Sequence, residues 1–342
     1  MATTDTASIA AASADVQAGR PAIEVSLTRV GVRGVEKVLR VAAAPGSRSD
    51  AEAGNLYFAE LECLVDLNPQ QAGVHMSRFE EIVNEAIDGV VLAETLRAEE
   101  LAGQIAEQVR ERQNALRAEV TIAARYPETV RTPSSDLPTQ EIYTLFGTAV
   151  ASERGTRTLT GVEAQGMTAC PCAQELLTGR SRERLLADGF DDDEIERIFT
   201  AVPVATHNQR GIGSLHIGRT EGATLELDAR DLLRIVEQSM SSEIYELMKR
   251  SDEADVVEKA HRNPRFVEDV VREMIRRVAA AYPQLAVDGF ILARQENLET
   301  IHRHTVVAER SGELAEILAE LETGEHTRHH TTRREWLEAP GA

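Results

Sequence analysis

The chain contains little lysine, little cysteine and few aromatic residues, and its charge is mostly of one sign. Only three of its 37 basic residues are lysines, and the formal net charge is −20. An acidic surface of this kind repels nucleic acid and anionic membranes, so neither is an expected partner. The chain also lacks an apolar run of the roughly 18 residues that a transmembrane helix needs. A local cluster of arginines could still hold a small anionic substrate.

The N-terminus and the cysteines indicate where the protein works. Residues 1–21 are rich in Ala, Ser and Thr and lack the basic and apolar regions of a secretory signal, so we expect a disordered tail. Three cysteines, two of them only one residue apart, do not make a disulfide framework. A reducing cytoplasm is therefore the expected setting. The acidic, lysine-poor composition further indicates a cytoplasm with a high salt concentration.

Strand patterns and helix patterns occur in the same order twice. Period-two alternation over residues 22–43 predicts a β-hairpin, and helical periodicity follows from residue 79. The fold class that we predict is α+β with two similar halves. The predicted order is a tail at 1–21, a first module at 22–131, a turn at 132–138, a second module at 139–310 with an acidic helical insert at 175–200, and a polar C-terminal tail at 311–342.

The stretch Gly166–Gln174 contains two of the three cysteines in a Cys-Pro-Cys sequence. Pro171 fixes its own φ and has no N–H, which predicts a stiff turn that presents Cys170 and Cys172. The pair is either two buried structural thiols or part of a site in which Cys170 is a metal thiolate or a nucleophile. Its spacing differs from that of C-x-x-C redox motifs and zinc knuckles.

Histidines occur in two further polar stretches. His207 lies in Thr206–Arg210, and His302 and His304 are two residues apart. If the last two lie on a strand, they point to the same face and can reach one ion. Surface hydrogen bonding is the alternative for each of them. A thiolate with imidazoles is a transition-metal ligand set, so our working interpretation is a mononuclear metal hydrolase built around Cys170.

Four carboxylates are candidates for the same site, although most acidic residues of this chain are expected to be solvated surface. Glu243, Glu253, Glu258 and Glu268 all follow the histidine stretch at 207 and precede the one at 302. Glu243 and Glu258 show the same separation of 15 residues as Glu253 and Glu268, so spacing alone does not distinguish the two pairs.

Six short sequence motifs together resemble those of a known protein family. They are Gly-Met-Thr-Ala-Cys-Pro-Cys-Ala-Gln at 166–174, His-Asn-Gln-Arg at 207–210, His-Met-Ser-Arg-Phe at 75–79, Lys-Arg-x-Asp-Glu at 249–253, Asn-Pro-x-Phe-Val-Glu-Asp at 263–269 and Glu-x-Leu-Glu-x-Ile-His-x-His at 296–304. Over residues 22–310 the chain resembles the GTP cyclohydrolase family that includes bacterial type IB and archaeal MptA enzymes. The acidic insert is more similar to the MptA branch, and the composition fits a haloarchaeal member.

The resemblance implies a tunnelling fold, with two tandem modules of antiparallel sheet and paired helices. It implies a homo-oligomer, a dimer or tetramer, with sites at subunit interfaces. It also implies conversion of GTP to 7,8-dihydroneopterin 2′,3′-cyclic phosphate, formate and diphosphate with one Fe(II) per subunit, zinc or manganese being the alternatives. The reaction would be the first step of pterin biosynthesis, toward tetrahydromethanopterin or folate.

The same resemblance implies roles for individual residues. Its metal ligands would be Cys170, His207, Glu253 and His302, with His304 close by as a proton carrier and Glu268 as the guanine anchor. The remaining substrate contacts are expected from Arg78, Arg210, His75 and Gln209. The two arginines would hold phosphates bidentately.

Three alternative functions stay open at this stage. A type IB enzyme would release 7,8-dihydroneopterin triphosphate instead of the cyclic phosphate. A non-catalytic purine- or pterin-binding protein could use the same fold, although the combination of Cys170, His207 and His302 with His304 argues against it. A nitrile-forming or reducing relative would use a cysteine as a covalent nucleophile.

Overall fold

The computed structural model describes residues 16–41, 55–89, 97–220, 227–325 and 327–339. Its strands are β1 (Leu27–Val41), β2 (Asn55–Leu67), β3 (Arg117–Arg131), β4 (Pro138–Ser152), β5 (Gly155–Ala169), β6 (Asn208–Arg219), β7 (Ser242–Glu243), β8 (Phe290–Leu298) and β9 (Thr305–Glu313). Its helices are α1 (Met76–Gly89), α2 (Ala98–Gln113), α3 (Pro171–Ala187), α4 (Asp192–Ala201), α5 (Ala229–Ser239), α6 (Arg250–Arg262), α7 (Val267–Ala281), α8 (Leu314–Thr323) and α9 (Arg333–Glu338), with a short 3₁₀ turn at Pro283–Ala286. None of the helices described is long and apolar enough to cross a membrane.

The strands form one antiparallel sheet in the order β1-β2-β3-β4-β5-β6-β8-β9, and β7 pairs separately with β5. The order of two strands, helices and two strands occurs twice along the chain, with α3 and α4 inserted between β5 and β6. The predicted α+β tunnelling fold, with two tandem modules of antiparallel sheet and helices, is therefore confirmed. The acidic insert begins at Pro171, four residues earlier than the pattern indicated.

Two local predictions in the first half are wrong. The turn predicted between the modules, residues 132–138, instead joins β3 to β4, which pair from Arg117 opposite Ser152 to Arg131 opposite Pro138. The hairpin predicted over residues 22–43 is the single strand β1, whose register against β2 shifts between Val32 and Val35. Gly34 lies at this shift with a φ of 73°, a left-handed conformation that glycine adopts without a steric penalty.

Helices cover one face of the sheet and form the main core. Helix α2 packs on β3 and β4, while α5 and α7 pack on β5 and β8. Alternate residues of β3, such as Val120 and Ile122, are buried against them, as expected for a strand with one face in the core. Phe79 and Ile105 are fully buried in the same core.

The other face of the sheet is partly covered by the C-terminal segment. The prediction of a polar tail over residues 311–342 is wrong for the described part, which contains β9, α8 and α9. Trp336 is 1% exposed and packs with Phe290 and Leu159. A Cβ atom at position 218 would be only 2.7 Å from the Trp336 ring. Glycine at this position therefore leaves the space that the ring needs. The docking of α9 thus depends on the absence of a side chain.

The N-terminal tail predicted at 1–21 lies mainly outside the described residues. Where the chain is described, it is already bound to the fold. Ala72 N donates to Gly19 O at 2.8 Å, and Gly73 N donates to Gln17 O at 3.1 Å. Residues 17–19 are therefore fixed against the segment that leads from β2 to α1.

The antiparallel sheet has two ends at which strands start and finish. Strand β5 finishes and β6 starts at the same end, together with the last residue of β8 and the first of β9. We call this the site end. Strand β2 finishes and β3 starts at the opposite end, together with the last residue of β4. We call this the far end.

Candidate active site

Cys170 lies at the junction between β5 and α3, at the site end. The predicted stiff turn is instead the start of a helix, in which Cys170 is the N-cap residue and Pro171 is the first helical residue. Proline suits this position because its fixed φ is helical and the N–H that it lacks would have had no partner within the helix. Cys172 is exposed in the first turn, whereas Cys170 is partly buried. The two thiols therefore have different environments.

Backbone hydrogen bonds place Cys170 beside His207. Cys170 N donates to His207 O at 3.1 Å, which continues the pairing of β5 with β6 by one residue. Thr206 Oγ1 donates to Cys170 O at 2.9 Å. Arg265 N, which precedes α7, donates to Ala169 O at 2.9 Å. The strand register thus brings together two of the predicted site residues that are 37 positions apart in the chain.

Two polar side chains that were given no role in the sequence analysis hold this junction. Gln174 Nε2 donates to Val204 O and to His261 O, both at 2.7 Å. The His261 ring lies 2.9 Å from Val257 O through Nδ1 and 3.2 Å from Thr206 O through Nε2. These contacts join α3, α6 and the segment before β6 into one support for Cys170.

The imidazole of His207 is oriented by two neighbours. Its Nδ1 lies 3.1 Å from Gln209 Oε1 and 3.7 Å from Glu299 Oε2. The Gln209 oxygen is a hydrogen-bond acceptor, which places the proton on Nδ1 and leaves Nε2 as the nitrogen that can bind a metal, while the Glu299 carboxylate lies at ion-pair distance on the same side. Gln209, predicted to contact substrate, is 5% exposed and here supports His207. The role of Glu299 was missed, although it lies within the motif at 296–304.

His302 and His304 lie at the site end, but not on a strand. Residues 301–304 form the bend between β8 and β9, so the argument that both side chains share a strand face is wrong. The two rings nevertheless stack, with centroids 5.1 Å apart and an interplanar angle of 13°. Both residues are exposed. The turn, rather than strand periodicity, brings the pair together.

The predicted ligands do not form one metal group within a single chain. No cluster of three His, Cys, Asp or Glu side chains with metal-binding geometry occurs in the part of the chain that the structure describes. Glu253 lies on the exposed face of α6, and Glu268 is exposed in the first turn of α7. Their roles as ligand and guanine anchor stay predictions.

The other two candidate carboxylates have defined partners. Glu243 lies on β7 directly opposite Gly166 of β5, and its carboxylate pairs with Lys259. Glu258 pairs with Arg262, Nε to Oε1, at 2.7 Å. Glu243 is therefore the carboxylate of the four that lies within the sheet, next to the strand that carries Cys170.

The predicted phosphate contacts are divided between the two ends of the sheet. Arg210 lies on β6, three residues after His207, and pairs with Met167 of β5. It is exposed at the site end. His75 and Arg78 lie at the start of α1, at the far end. His75 O accepts from Gln113 Nε2 at 2.9 Å, and Arg78 Nη1 donates to Arg112 O at 3.2 Å. They line a pocket of about 320 Å³.

The donor atoms at the site end fit a divalent transition metal. The partly buried thiol and the imidazole with a fixed tautomer belong to residues whose backbones pair, and sulfur with nitrogen suits iron and zinc alike. Behind them, the side chain of Glu299 is 8% exposed, and its Oε2 has no hydrogen-bond partner among the described residues. A buried carboxylate beside a histidine is a typical support for a metal-bound imidazole.

These features define a protein of the tunnelling fold with a cysteine–histidine site at one sheet end. The model of the type I GTP cyclohydrolase folE2 family matches residues 14–308, and the chain belongs to this family.

Sequence identity to individual relatives shows which members of the family this chain is similar to. It is 40% identical over 313 residues to a GTP cyclohydrolase MptA from Methanococcus aeolicus, covering 90% of this chain and 99% of the relative. It is 36% identical over 315 residues to a GTP cyclohydrolase MptA from Methanoculleus marisnigri, covering 91% and 98%. Among solved structures, the uricase from Arthrobacter globiformis is similar with a TM-score of 0.49 and 10% identity, covering 88% of this chain and 96% of that one.

Proposed function

We propose that this chain hydrolyses GTP at C8 and releases 7,8-dihydroneopterin 2′,3′-cyclic phosphate, formate and diphosphate. Membership of the GTP cyclohydrolase family supports the reaction class, and the similarity to enzymes named MptA supports the cyclic product. The observation that carries the proposal is the pairing of Cys170 with His207 at the site end, with Glu299 buried behind the imidazole.

Fe(II) is the metal that we propose, with zinc or manganese as alternatives. Cys170 Sγ and His207 Nε2 would hold it, with Glu253 and His302 as the further predicted ligands. When bound, such an ion supplies a water molecule whose pKa lies near neutrality. Gln209 and Glu299 keep His207 in one tautomer and orientation, so the imidazole is preorganised. His304, which stacks on His302 at the surface of the site end, would accept or return a proton.

The substrate would be held by residues from two copies of the chain. Arg210 lies at the same end of the sheet as Cys170 and His207, whereas His75 and Arg78 lie at the far end. A single chain therefore does not present all predicted phosphate contacts to one GTP molecule. A homo-oligomer, dimer or tetramer, in which the far end of one chain faces the site end of another would complete the site. Glu268 would then anchor the guanine.

A cytoplasmic role early in pterin biosynthesis belongs to the same proposal. All three cysteines are free thiols, which suits a reducing compartment. The cyclic phosphate would be the first intermediate on the way to tetrahydromethanopterin or folate.

The two cysteines of the motif provide a matched test. Cys170→Ala should abolish release of formate from GTP, whereas Cys172→Ala, which removes an exposed thiol two residues away, should retain turnover. Formate release is measured under anaerobic conditions with Fe(II), and thermal unfolding checks that both variants fold. Near-normal turnover by Cys170→Ala would refute the site. Turnover without any metal, with a covalent substrate adduct on cysteine, would instead support the nitrile-forming or reducing alternative.

A further inference from the structure

We propose that the far end of the sheet contains a second binding site, specific for a phosphate-bearing small molecule. The site is the pocket between α9 and the strands β1, β3 and β4, which we call the arginine pocket. It has a volume of about 590 Å³, within the range of sites for small ligands. Five arginines line it, namely Arg29, Arg117, Arg154, Arg333 and Arg334, together with the four carboxylates of Asp66, Glu119, Glu153 and Glu338.

This concentration of guanidinium groups contrasts with a chain whose net charge is −20. Part of the positive charge is already neutralised. Arg117 pairs with Glu119 at 3.0 Å, Arg29 pairs with the same carboxylate at 3.4 Å, and Arg334 pairs with Glu338 at 3.1 Å. These three arginines therefore form a frame around the pocket rather than a free binding surface.

Arg333 is different, because it is partly buried and bonded to a neutral group. Its Nη2 donates to Thr148 Oγ1 at 3.0 Å, and no carboxylate lies within ion-pair distance of it among the described residues. Burial lowers the pKa of its guanidinium, Glu119 opposes this change, and the nearby Arg29 adds to it. A partly buried cation that lacks a direct counter-ion is stabilised when an oxyanion binds beside it. Arg154, exposed at the rim, supplies a second guanidinium without an ion pair in the described structure.

The wall that carries Arg333 is firmly attached. Trp336 stacks on Phe290 with ring centroids 5.3 Å apart and fills the space left by Gly218. The guanidinium of Arg157 lies 4.8 Å from the centre of the Trp336 ring, and its Nη1 donates to Trp336 O at 2.9 Å. Helix α9 is thus held by packing, a cation–π contact and a hydrogen bond, so the pocket is present before a ligand binds.

Apolar side chains complete the lining and indicate the rest of the ligand. Leu116, Val150 and Leu337 line the same pocket as the arginines. Leu116 is 67% exposed, which is a large exposure for a leucine. An anion that carries an apolar or planar body would cover this surface, whereas inorganic phosphate would occupy only the charged part. The favoured ligand class is therefore a phosphate ester of a small apolar or heterocyclic molecule.

Only the α9 wall of the arginine pocket lies outside the family's shared sequence. The family match ends at residue 308, and α9 begins at Arg333. The pocket also contains none of the residues predicted for the reaction, since His75 and Arg78 line a different pocket at the same end. The inference consequently does not depend on the proposed reaction, and either can fail without the other.

Calorimetric titration of the full-length protein with inorganic phosphate tests the charged part of the site. We expect saturable binding that weakens about tenfold or more in Arg333→Gln, since a charge-assisted contact is lost. Arg182→Gln, an exposed arginine on α3 paired with Glu196, is the matched control and should bind as the wild type does. Phenyl phosphate should bind more tightly than inorganic phosphate, and citrate should bind more weakly than either.

Further variants keep the test decisive. Arg154→Gln changes an exposed rim residue without disturbing packing and should also weaken phosphate binding, even if Arg333→Gln fails to fold. Cys170→Ala should bind phosphate like the wild type, which separates this pocket from the proposed active site. Unchanged affinity in both arginine variants, or the absence of saturable binding to the wild type, would overturn the proposal. Tighter binding of citrate than of phenyl phosphate would overturn the assigned ligand class.

Discussion

The two ends of the sheet are built in different ways. At the site end, Cys170 and His207 are held by backbone hydrogen bonds and by polar side chains, and this region belongs to the part matched by the family model. At the far end, the arginine pocket is closed by a helix that follows the matched part and is anchored by Trp336. The comparison indicates that the proposed chemistry depends on precise polar positioning, whereas the additional pocket depends on apolar docking of the C-terminus.

The largest expected effect is at the site end. His207→Ala removes a predicted metal ligand and should lower kcat for GTP by at least about a thousandfold. Phosphate binding in the arginine pocket should be unchanged, because His207 does not line that pocket. Steady-state kinetics and calorimetry on the same preparation measure both properties. A parallel loss of both would show that the two ends are not independent.

Trp336→Ala should abolish phosphate binding and retain GTP turnover, the opposite of His207→Ala. Removal of a fully buried tryptophan typically costs about 3–5 kcal/mol of unfolding free energy, and here it also detaches a wall of the arginine pocket. Chemical denaturation should show this loss, and phosphate binding should disappear. GTP turnover below the unfolding transition should be retained. A loss of turnover in a folded variant would mean that α9 also supports the site end.

A partly buried carboxyl group near the site end should make stability depend on pH. Glu237 on α5 accepts a hydrogen bond from Tyr143 Oη at 2.7 Å, and burial raises the pKa of Glu237 from 4.5 to about 7 despite that bond. The folded state then holds a proton that the unfolded state releases, so stability falls as pH rises from 4.5 to about 7, by about 3 kcal/mol at most.

Denaturant titrations at pH 5 and pH 8 measure this effect. Glu237→Gln cannot ionise and should show a smaller decrease in stability over the same interval. Arg333→Gln, at the far end, should retain the pH dependence of the wild type. If Glu237→Gln and the wild type lose the same stability between the two pH values, the dependence arises elsewhere.

Glu299→Gln should have the smallest effect of this series on the reaction. Loss of the carboxylate behind His207 leaves the ligands in place but weakens their orientation, so we expect a decrease of about 10–100-fold in metal affinity or kcat. Glu296→Gln, three residues earlier and paired with Arg294, is the matched control. Competition with a metal chelator measures the affinity. Equal metal affinity and kcat in Glu299→Gln and the wild type would contradict the role inferred for Glu299.

Much of the fold was predictable, because alternation and helical periodicity are local signals. Errors arose where a long-range partner decided the structure. The pattern at 22–43 contains glycines that suit either a turn or a bulge, and pairing with β2 selected the bulge at Gly34. A chain terminus rich in Glu, His and Arg looked peripheral. Its one tryptophan is buried only because Gly218, more than a hundred residues earlier, leaves room for it.

In the candidate site, too, local sequence signals were predictable and features that depend on long-range partners were not. The motifs identified Cys170 and His207, and the register of β5 with β6 brings the two together. Cys-Pro-Cys suggested a turn, since the helical pattern of α3 is weak and the helix buries no residue in the described structure. Glu299 carried no local signal beyond its motif, because its importance comes from its distance to His207. The assignment among Glu243, Glu253, Glu258 and Glu268 needs the geometry of a complete, metal-bound assembly.

The most direct test of the proposed function is to identify the product formed from GTP. The protein is incubated anaerobically in high salt with GTP and Fe(II), with zinc and manganese in parallel, and the pterin is analysed by mass spectrometry. We predict 7,8-dihydroneopterin 2′,3′-cyclic phosphate with equimolar formate and diphosphate, in largest amount with Fe(II). Release of 7,8-dihydroneopterin triphosphate without diphosphate would contradict the proposed product, and unchanged GTP with all three metals would contradict the function itself.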